Sequence, residues 1–408
     1  MNILSITTQK PHSTGSGTYM TELIRAYDAM GHNQSVVFGV TKDDDYNFPD
    51  SVNSYPVYYS SEDLPFPVLG MSDVMPYQST LYKDLNKEMI SQLERAFMKV
   101  IGKAIEDNKP DIIICHHLFL LTSMVVKNFP DFRVVGVCHG SDLRQNIQCE
   151  NIAYEVKDNI ASLHHIFALH DKQKDTIAEL FNISKDKISV VGSGYNSSLF
   201  NTRGRKARRL EDPVRIIYAG KMSSSKGVPE LISSVTELLN SERISRSVPQ
   251  IKLALAGGCN EDAVQDMLKN LPDGITWLGQ ISQAELANQF RASDIFILPS
   301  YFEGLGLVVI EAVACGAIAI CTDIPGIKEW ICKNAPEADV RYIPMPELKS
   351  VDMPTDEARI KFKNDISKEL SNAINFVVEN SDKSVLNDAD LSSISWDGVA
   401  KKIIENCC

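Results

Sequence analysis

Short runs rich in valine and isoleucine, each followed by a stretch with helical spacing, constrain this chain more than any other feature. Ile3–Thr7, Ser35–Val40, Asp111–Cys115, Val134–Cys138, Ile166–Leu169 and Ile188–Val190 read as strands, with helices expected over Met20–Met30 and Glu88–Asn108. Runs that are apolar at nearly every position belong to strands covered on both faces, as in a parallel sheet between helices. Around Thr202–Val214 the pattern breaks. Arg203, Arg205, Lys206, Arg208 and Arg209 crowd a polar stretch that reads as an exposed basic loop near a domain boundary. The alternation then restarts, with strands at Arg215–Ala219, Ile251–Ala256, Ile275–Leu278, Ile295–Leu298 and Ile318–Cys321. Helices are expected at Pro229–Leu239, Ala284–Arg291 and Leu307–Ala314. At 408 residues the chain is too long for one ordinary core. Two α/β domains are therefore expected: residues 1–200, joined by a tail helix at 393–408 carrying Trp396, Val399, Ile403 and Ile404, and residues 201–392. Two such sheets would place a cleft outside the carboxyl ends of their strands, where ligands of these folds bind.

Composition narrows the function classes. A formal charge of −12 gives no general attraction for nucleic acid. A 44% hydrophobic and 23% charged make-up is that of a globular chain. No apolar stretch is long enough to cross a bilayer, and Met1-Asn-Ile-Leu-Ser-Ile reads as a buried strand rather than a leader. The nine cysteines contain no Cys-x-x-Cys pair, so reduced core thiols in a cytoplasmic protein are expected. Cys407 and Cys408 read as an inert end rather than a lipidation site.

Four segments carry chemistry. Ser13-Thr-Gly15-Ser-Gly17 follows the first strand, and small residues there would let backbone N–H groups approach a ligand. It lacks the third glycine of a dinucleotide fingerprint, because position 20 is Met. Gly220-Lys221-Met-Ser-Ser-Ser-Lys226-Gly227 sets two lysines five apart around small polar residues, which suits a diphosphate. It is not the nucleoside-triphosphate loop, since glycine follows Lys226. Pro299-Ser-Tyr-Phe-Glu303-Gly304-Leu305-Gly306-Leu307-Val308-Val-Ile-Glu311 follows a strand and opens a helix near Gly306. A helix start offers unpaired N–H groups and about half a positive charge to an anion. A carboxylate such as Glu303 or Glu311 suits a vicinal diol. Cys138-His139-Gly-Ser-Asp142 places a histidine at a strand's carboxyl end. His116 and His117 close another strand, and His164 and His165 lie in a helix-like stretch. Neither pair has a Cys or carboxylate at ligand spacing, so no metal site is expected. Asp43-Asp-Asp45 reads as a solvated acidic turn.

In order and spacing, Gly220–Gly227, Ala256-Gly-Gly258, and Glu303 with Glu311 followed by Ala312 and Cys315-Gly316 resemble the retaining glycosyltransferases of the GT-B fold, glycosyltransferase family 4. Gly15–Gly17 and His139–Asp142 match the family's first domain more loosely. The resemblance implies two Rossmann-like domains facing each other across a cleft, with the C-terminal helix crossing back to the first. It implies that Lys221 and Lys226 hold a donor diphosphate; relatives often carry Arg at 221, so a point charge would replace a bidentate clamp. Glu303 would contact donor-sugar hydroxyls and the backbone of Gly304, Leu305, Gly306, Leu307 and Val308 the sugar and phosphate. Glu311 would bind the ribose diol, with Gly279, Gln280 and Ile281 beside the base. His139 would sit near the anomeric carbon and Gly15 to Gly17 on the diphosphate or acceptor side.

The reaction so implied moves a hexose or N-acetylhexosamine from a nucleoside diphosphate sugar, with a UDP-sugar favoured as co-substrate. No cofactor or metal is expected. The acceptor is a sugar, a lipid-linked sugar or a protein, the setting glycan, polysaccharide or glycoconjugate synthesis, and no nucleic-acid partner is expected. Peripheral contact with the inner face of the membrane would follow only from a lipid acceptor. Two carboxylates could also serve a glycoside hydrolase, and the loops a non-catalytic sugar-nucleotide module. The lysine pair favours the transferase, and the poor first glycine loop disfavours a nicotinamide oxidoreductase.

Overall fold

Asn2–Ile6 (β1) is buried at four of its five positions, as a strand flanked by helices on both faces must be. The structure, a computed structural model, describes every residue except 73–74, 242–249, 304–305, 325, 351–352, 382–386, 388 and 408. The chain divides into two compact units: Met1–Gly194 with Trp396–Cys408, and Tyr195–Ser395.

In the first unit β1 is joined by Asn33–Val40 (β2), Val52–Tyr58 (β3), Ile112–His116 (β4), Val134–Val137 (β5), His165–Ala168 (β6) and Ile188–Val190 (β7). All pairings are parallel. The spatial order is β3-β2-β1-β4-β5-β6-β7. Successive side chains point to opposite faces. Leu4, Ile6, Ile113 and Cys115 therefore pack with Phe97 and Ile101 of helix Lys87–Asn108. Ile3, Ile112 and Ile114 pack on the other face, with Tyr19, Tyr27, Trp396 and Ile403. The last two lie on Trp396–Cys407, whose return to this unit is anchored by the edge contact of Trp396 on Tyr19, ring centres 4.9 Å apart.

The second unit repeats the plan with Val214–Ala219 (β8), Ile251–Ala256 (β9), Ile275–Gly279 (β10), Ile295–Leu298 (β11), Ile318–Thr322 (β12) and Val340–Ile343 (β13). Its order is β10-β9-β8-β11-β12-β13, again wholly parallel. Helix Asp356–Glu379, capped by Thr355 on the N–H of Ala358, lies against helix Val228–Leu239. The Arg359–Glu230 pair, 2.6 Å, ties the two together. Two doubly wound α/β units are what the sequence pattern leads one to expect.

Four local readings change. Gly15 and Gly17 are not in a loop: the helix opens at Gly15, five residues before Met20, because Thr14 caps it by accepting the N–H of Gly17. His165 is not helical but starts β6, its ring on Ser189 Oγ at 2.8 Å. The stretch around Arg205 is not simply an exposed basic loop, since Arg205 and Arg208 are partly buried. Arg205 Nη1 donates to the carbonyls of Ser293 (2.9 Å) and Cys315 (3.1 Å), closing the ends of two helices. Asp44 is not merely solvated either; it takes Lys10 at 2.5 Å and the N–H of Thr41 at 2.7 Å.

Ile403 is fully buried beneath the first sheet. Truncating it leaves a cavity costing about 2–4 kcal/mol, so urea unfolding of Ile403→Ala should show that loss for the unit containing residue 1, although the residue lies near the far end of the chain.

Candidate functional site

In both sheets the strand order reverses beside the first strand, between β1 and β4 and between β8 and β11. The crossovers on either side of that point leave in opposite directions, and a crevice opens beyond the carboxyl ends. In the second unit a cavity of about 590 Å³ lies there, with Ala219 and Leu298, the last residues of β8 and β11, in its wall.

Two glycines let its walls close up. Gly227, at φ +66°, ends the turn Ser224–Lys226 and precedes helix Val228–Leu239; a Cβ there would lie 2.1 Å from the carbonyl oxygen of Pro299. Gly257, at φ +145°, would set a Cβ 1.8 Å from the carbonyl oxygen of Gly220. The loops after β8, β9 and β11 thus touch backbone to backbone. Glu261 holds the lysine-bearing turn, accepting both the N–H (2.8 Å) and the hydroxyl of Ser224.

Lys226 reaches across to the third loop. Its Nζ donates to Glu303 Oε1 at 2.7 Å and to the carbonyl of Phe302 at 2.8 Å. Ser300 Oγ donates to the same Oε1 at 2.7 Å. Glu303 is therefore held by one oxygen, while Oε2 has no partner among the described residues. Lys221 is exposed and, among the described residues, unpaired, and Tyr218 shapes its turn by donating to the Lys221 carbonyl at 2.8 Å.

Of the residues singled out from sequence, Lys221, Lys226, Gln280, Ile281, Glu303 and Val308 line this one cavity. Gly279 ends β10 just behind Gln280. Gly306 caps helix Leu307–Ala314, so Leu307 is its first residue. Glu311 does not line the cavity, but three residues beyond Val308 it shares that face of the helix. It is half-buried without a partner among the described residues, and burial pushes its carboxyl up to about 8. Gly304 and Leu305 lie outside the described residues, as does Cys408. Gly258 and Asn260 also line the cavity; the first was legible in Ala256-Gly-Gly258, the second had no signal.

Gly15, Gly17 and His139 belong to the first unit, the glycines at the start of the helix after β1 and the histidine after β5. His139 follows β5, and its Nε2 lies 3.1 Å from His116 Nδ1, the two rings stacked. Tyr19 meets the His139 ring edge-on at 5.1 Å. His117 Nε2 approaches Gln9 Oε1 at 3.2 Å, which also accepts from Ser16 Oγ at 2.9 Å. Burial, then the neighbouring imidazole, holds all three histidines below the ordinary range, His117 down to about 3, so the cluster is neutral at pH 7. Asp142 is fully buried and fixes the cluster's frame by accepting the N–H groups of Leu118 (2.8 Å) and His139 (3.2 Å). The sequence offers His116 and His117 only as metal ligands, which are set aside, and gives no signal for Gln9; nothing in two adjacent histidines shows that a third stands beside them after the next strand.

Consecutive family models cover this architecture. Residues 13–199 match the model described as Glycosyltransferase Family 4, and residues 201–339 the one described as Glycosyl transferases group 1. The chain belongs to glycosyltransferase family 4. Among curated family members it is similar to D-inositol 3-phosphate glycosyltransferase of Paenarthrobacter aurescens, 27% identical over 39% of this chain and 40% of that one. The chain spans about two fifths to half the length of the curated relatives it matches. Solved GT-B structures match nearly end to end. Sucrose-phosphate synthase from Thermosynechococcus elongatus superposes with a TM-score of 0.61 at 17% identity, covering 99% of this chain and 97% of that one. HepE of Anabaena, in complex with UDP and glucose, gives 0.56 at 15% identity, covering 99% and 98%. At these identities the likeness shows the family's fold. Among the described residues no helix of this family 4 chain is long and apolar enough to cross a membrane.

The raised Glu311 carboxyl gives a signed prediction. The folded chain keeps the proton until about pH 8, whereas the unfolded chain gives it up near the ordinary 4.5. The folded state thus binds more protons in that window, and this group's contribution to stability falls as pH rises through it. Glu311→Gln removes the fall. Thermal unfolding should show the variant matching the wild type at about pH 4 and exceeding it at about pH 9; equal differences at both pH values would refute the assignment.

Proposed function

We propose that the chain transfers a hexose or N-acetylhexosamine from a nucleoside diphosphate sugar to a hydroxyl acceptor with retention at the anomeric carbon. The observation that carries this reading is the convergence of Lys221, Lys226 and Glu303 on one cavity at the reversal point of the second sheet. In this reading the second unit, about residues 201–392, holds the donor, and the first, 1–200 with the tail helix, the acceptor. Lys221 and Lys226 neutralise the diphosphate, aided by the helix start at Gly306 to Val308 and by Gly304 and Leu305. Glu303 Oε2 accepts from a sugar hydroxyl. Gly279, Gln280 and Ile281 flank the base, and Glu311, once ionised, takes the ribose diol. His139, neutral, lends a hydrogen bond near the anomeric carbon, and Gly15 and Gly17 border the acceptor.

During transfer the bond from the anomeric carbon to the diphosphate breaks as a bond to the acceptor oxygen forms on the same face, and the acceptor proton passes to the departing phosphate oxygen. Two lysines can supply the positive charge that a metal ion supplies elsewhere, so we assign the step to them and to no metal. The UDP and glucose named with HepE support uridine as the base. The setting proposed is cytoplasmic synthesis of a glycan, polysaccharide or glycoconjugate, at the inner membrane face when the acceptor is a lipid.

A screen of nucleotide sugars for donor hydrolysis and transfer tests the reading. Lys226→Ala should cut turnover about a hundredfold, the usual effect of removing one donor to developing charge, with the circular dichroism spectrum unchanged. Near-normal turnover would sink it. If Glu311 must be ionised to accept the diol, affinity for a UDP-sugar, whose own diphosphate does not titrate in this range, should rise between about pH 6 and pH 8 and level above. Glu311→Gln should bind weakly with a flat profile. A wild-type profile equally flat would remove Glu311 from the ribose.

A further inference from the structure

The second unit carries another cavity, of about 520 Å³, at the amino ends of its central strands. Arg215, near the start of β8, and Asp294, just before β11, are in its wall, so roughly 15 Å of strand separates it from the donor cavity. Five cationic side chains line it, Arg205, Lys206, Arg208, Arg215 and Arg291, against two carboxylates, Asp212 and Asp294. That excess of three positive charges stands in a chain whose formal charge is −12.

Some of this charge is structural. Arg205 is taken up by helix-end carbonyls, and Arg291 Nη1 donates to Leu199 O at 2.9 Å. The rest is less fully taken up. Lys206 and Arg215 are exposed, with no hydrogen-bond or ion-pair partner for their side chains among the described residues. The Arg208 side chain is only 7% exposed. Nη2 donates to Asp212 O at 2.5 Å and Nε forms a long ion pair with Asp294 at 3.7 Å, but among the described residues neither Nε nor Nη1 has a hydrogen-bond acceptor. Leaving donors of a buried guanidinium unmade is costly, and a dianion held by two guanidinium groups and an ammonium is the natural complement. A phosphate group fills a small part of the volume. The side-chain amide of Gln289 stands beside the rest, suited to hydroxyl groups.

We propose that this cavity is a second ligand site, distinct from the donor cavity, that takes a phosphate monoester, with Lys206, Arg208 and Arg215 as its anion contacts. The proposal does not rest on the transferase reading. The same chemistry could be presented by a soluble sugar phosphate or by a phosphomonoester lipid, and the test separates them. Calorimetry on the full chain would use a hexose 6-phosphate, the free hexose, and vesicles with and without phosphatidic acid. The variants are Lys206→Ala/Arg215→Ala, whose side chains are exposed, and Lys226→Ala as a control for the donor cavity. The expected result is binding of hexose 6-phosphate but not hexose, unchanged in Lys226→Ala and weakened at least about tenfold in the double variant. Binding only to phosphatidic acid vesicles, lost in the same double variant, would support the site with a lipid as its source. Binding that survives the double variant, binding lost in Lys226→Ala alone, or no binding of either probe would overturn it.

Discussion

A parallel strand cannot return to its neighbour without crossing over a face of the sheet, and that single constraint organises both halves of this chain. All the crossovers but the loop from β2 to β3 carry a helix, each helix covers a face, and the central strands are therefore buried along their length, as β1 and β4 are. The crossovers must reverse direction somewhere if both faces are to be covered. In both units they reverse beside the first strand. The polar loops of this chain that converge on one another, those carrying Lys226 and Glu303 in one unit and Gln9 and His117 in the other, do so at those points. The site is thus a consequence of how the sheets are covered, and the residues that make it work were free to be polar because the strands had already ended.

This explains why the strands and the loops lining the second unit's cavity were legible in the sequence and other parts were not. A central strand is apolar at every position, so Ile295–Leu298 announces itself. Val52–Tyr58 does not: it is an edge strand with Pro56 and a polar, half-exposed middle, which the sheet tolerates only at its rim. Helix Ser141–Gln148 is almost wholly polar and owes its place to Asp142, buried under backbone donors. The helical spacing of Phe362, Ile366, Leu370 and Val377 is regular, yet it lies in a stretch without catalytic motifs and was passed over. Contacts between distant residues left no local trace. Neither the stacking of His116 on His139 nor the capture of carbonyls by Arg205 has a signature in spacing.

On the proposed reading, the ion pair between Lys226 and Glu303 bears on how the second unit's cavity would hold a donor. With both side chains mostly screened from water, their attraction is stronger than that of a surface pair, and separating them outright would cost more than one hydrogen bond can return. A diphosphate bound beside the pair need not separate them. The lysine has three donors and uses two, on Glu303 and on the Phe302 carbonyl, so the third can meet a phosphate oxygen while Glu303 keeps the ammonium aimed. Glu303, held at Oε1 by Lys226 and Ser300, likewise has Oε2 in hand. In that arrangement the carboxylate opposes the loss of the lysine's position rather than competing for its charge. Lys221, exposed and unpaired among the described residues, would then supply the net positive charge that the neutral pair cannot. The two lysines of one loop would have different tasks, one fixed in place and one free to follow the leaving group.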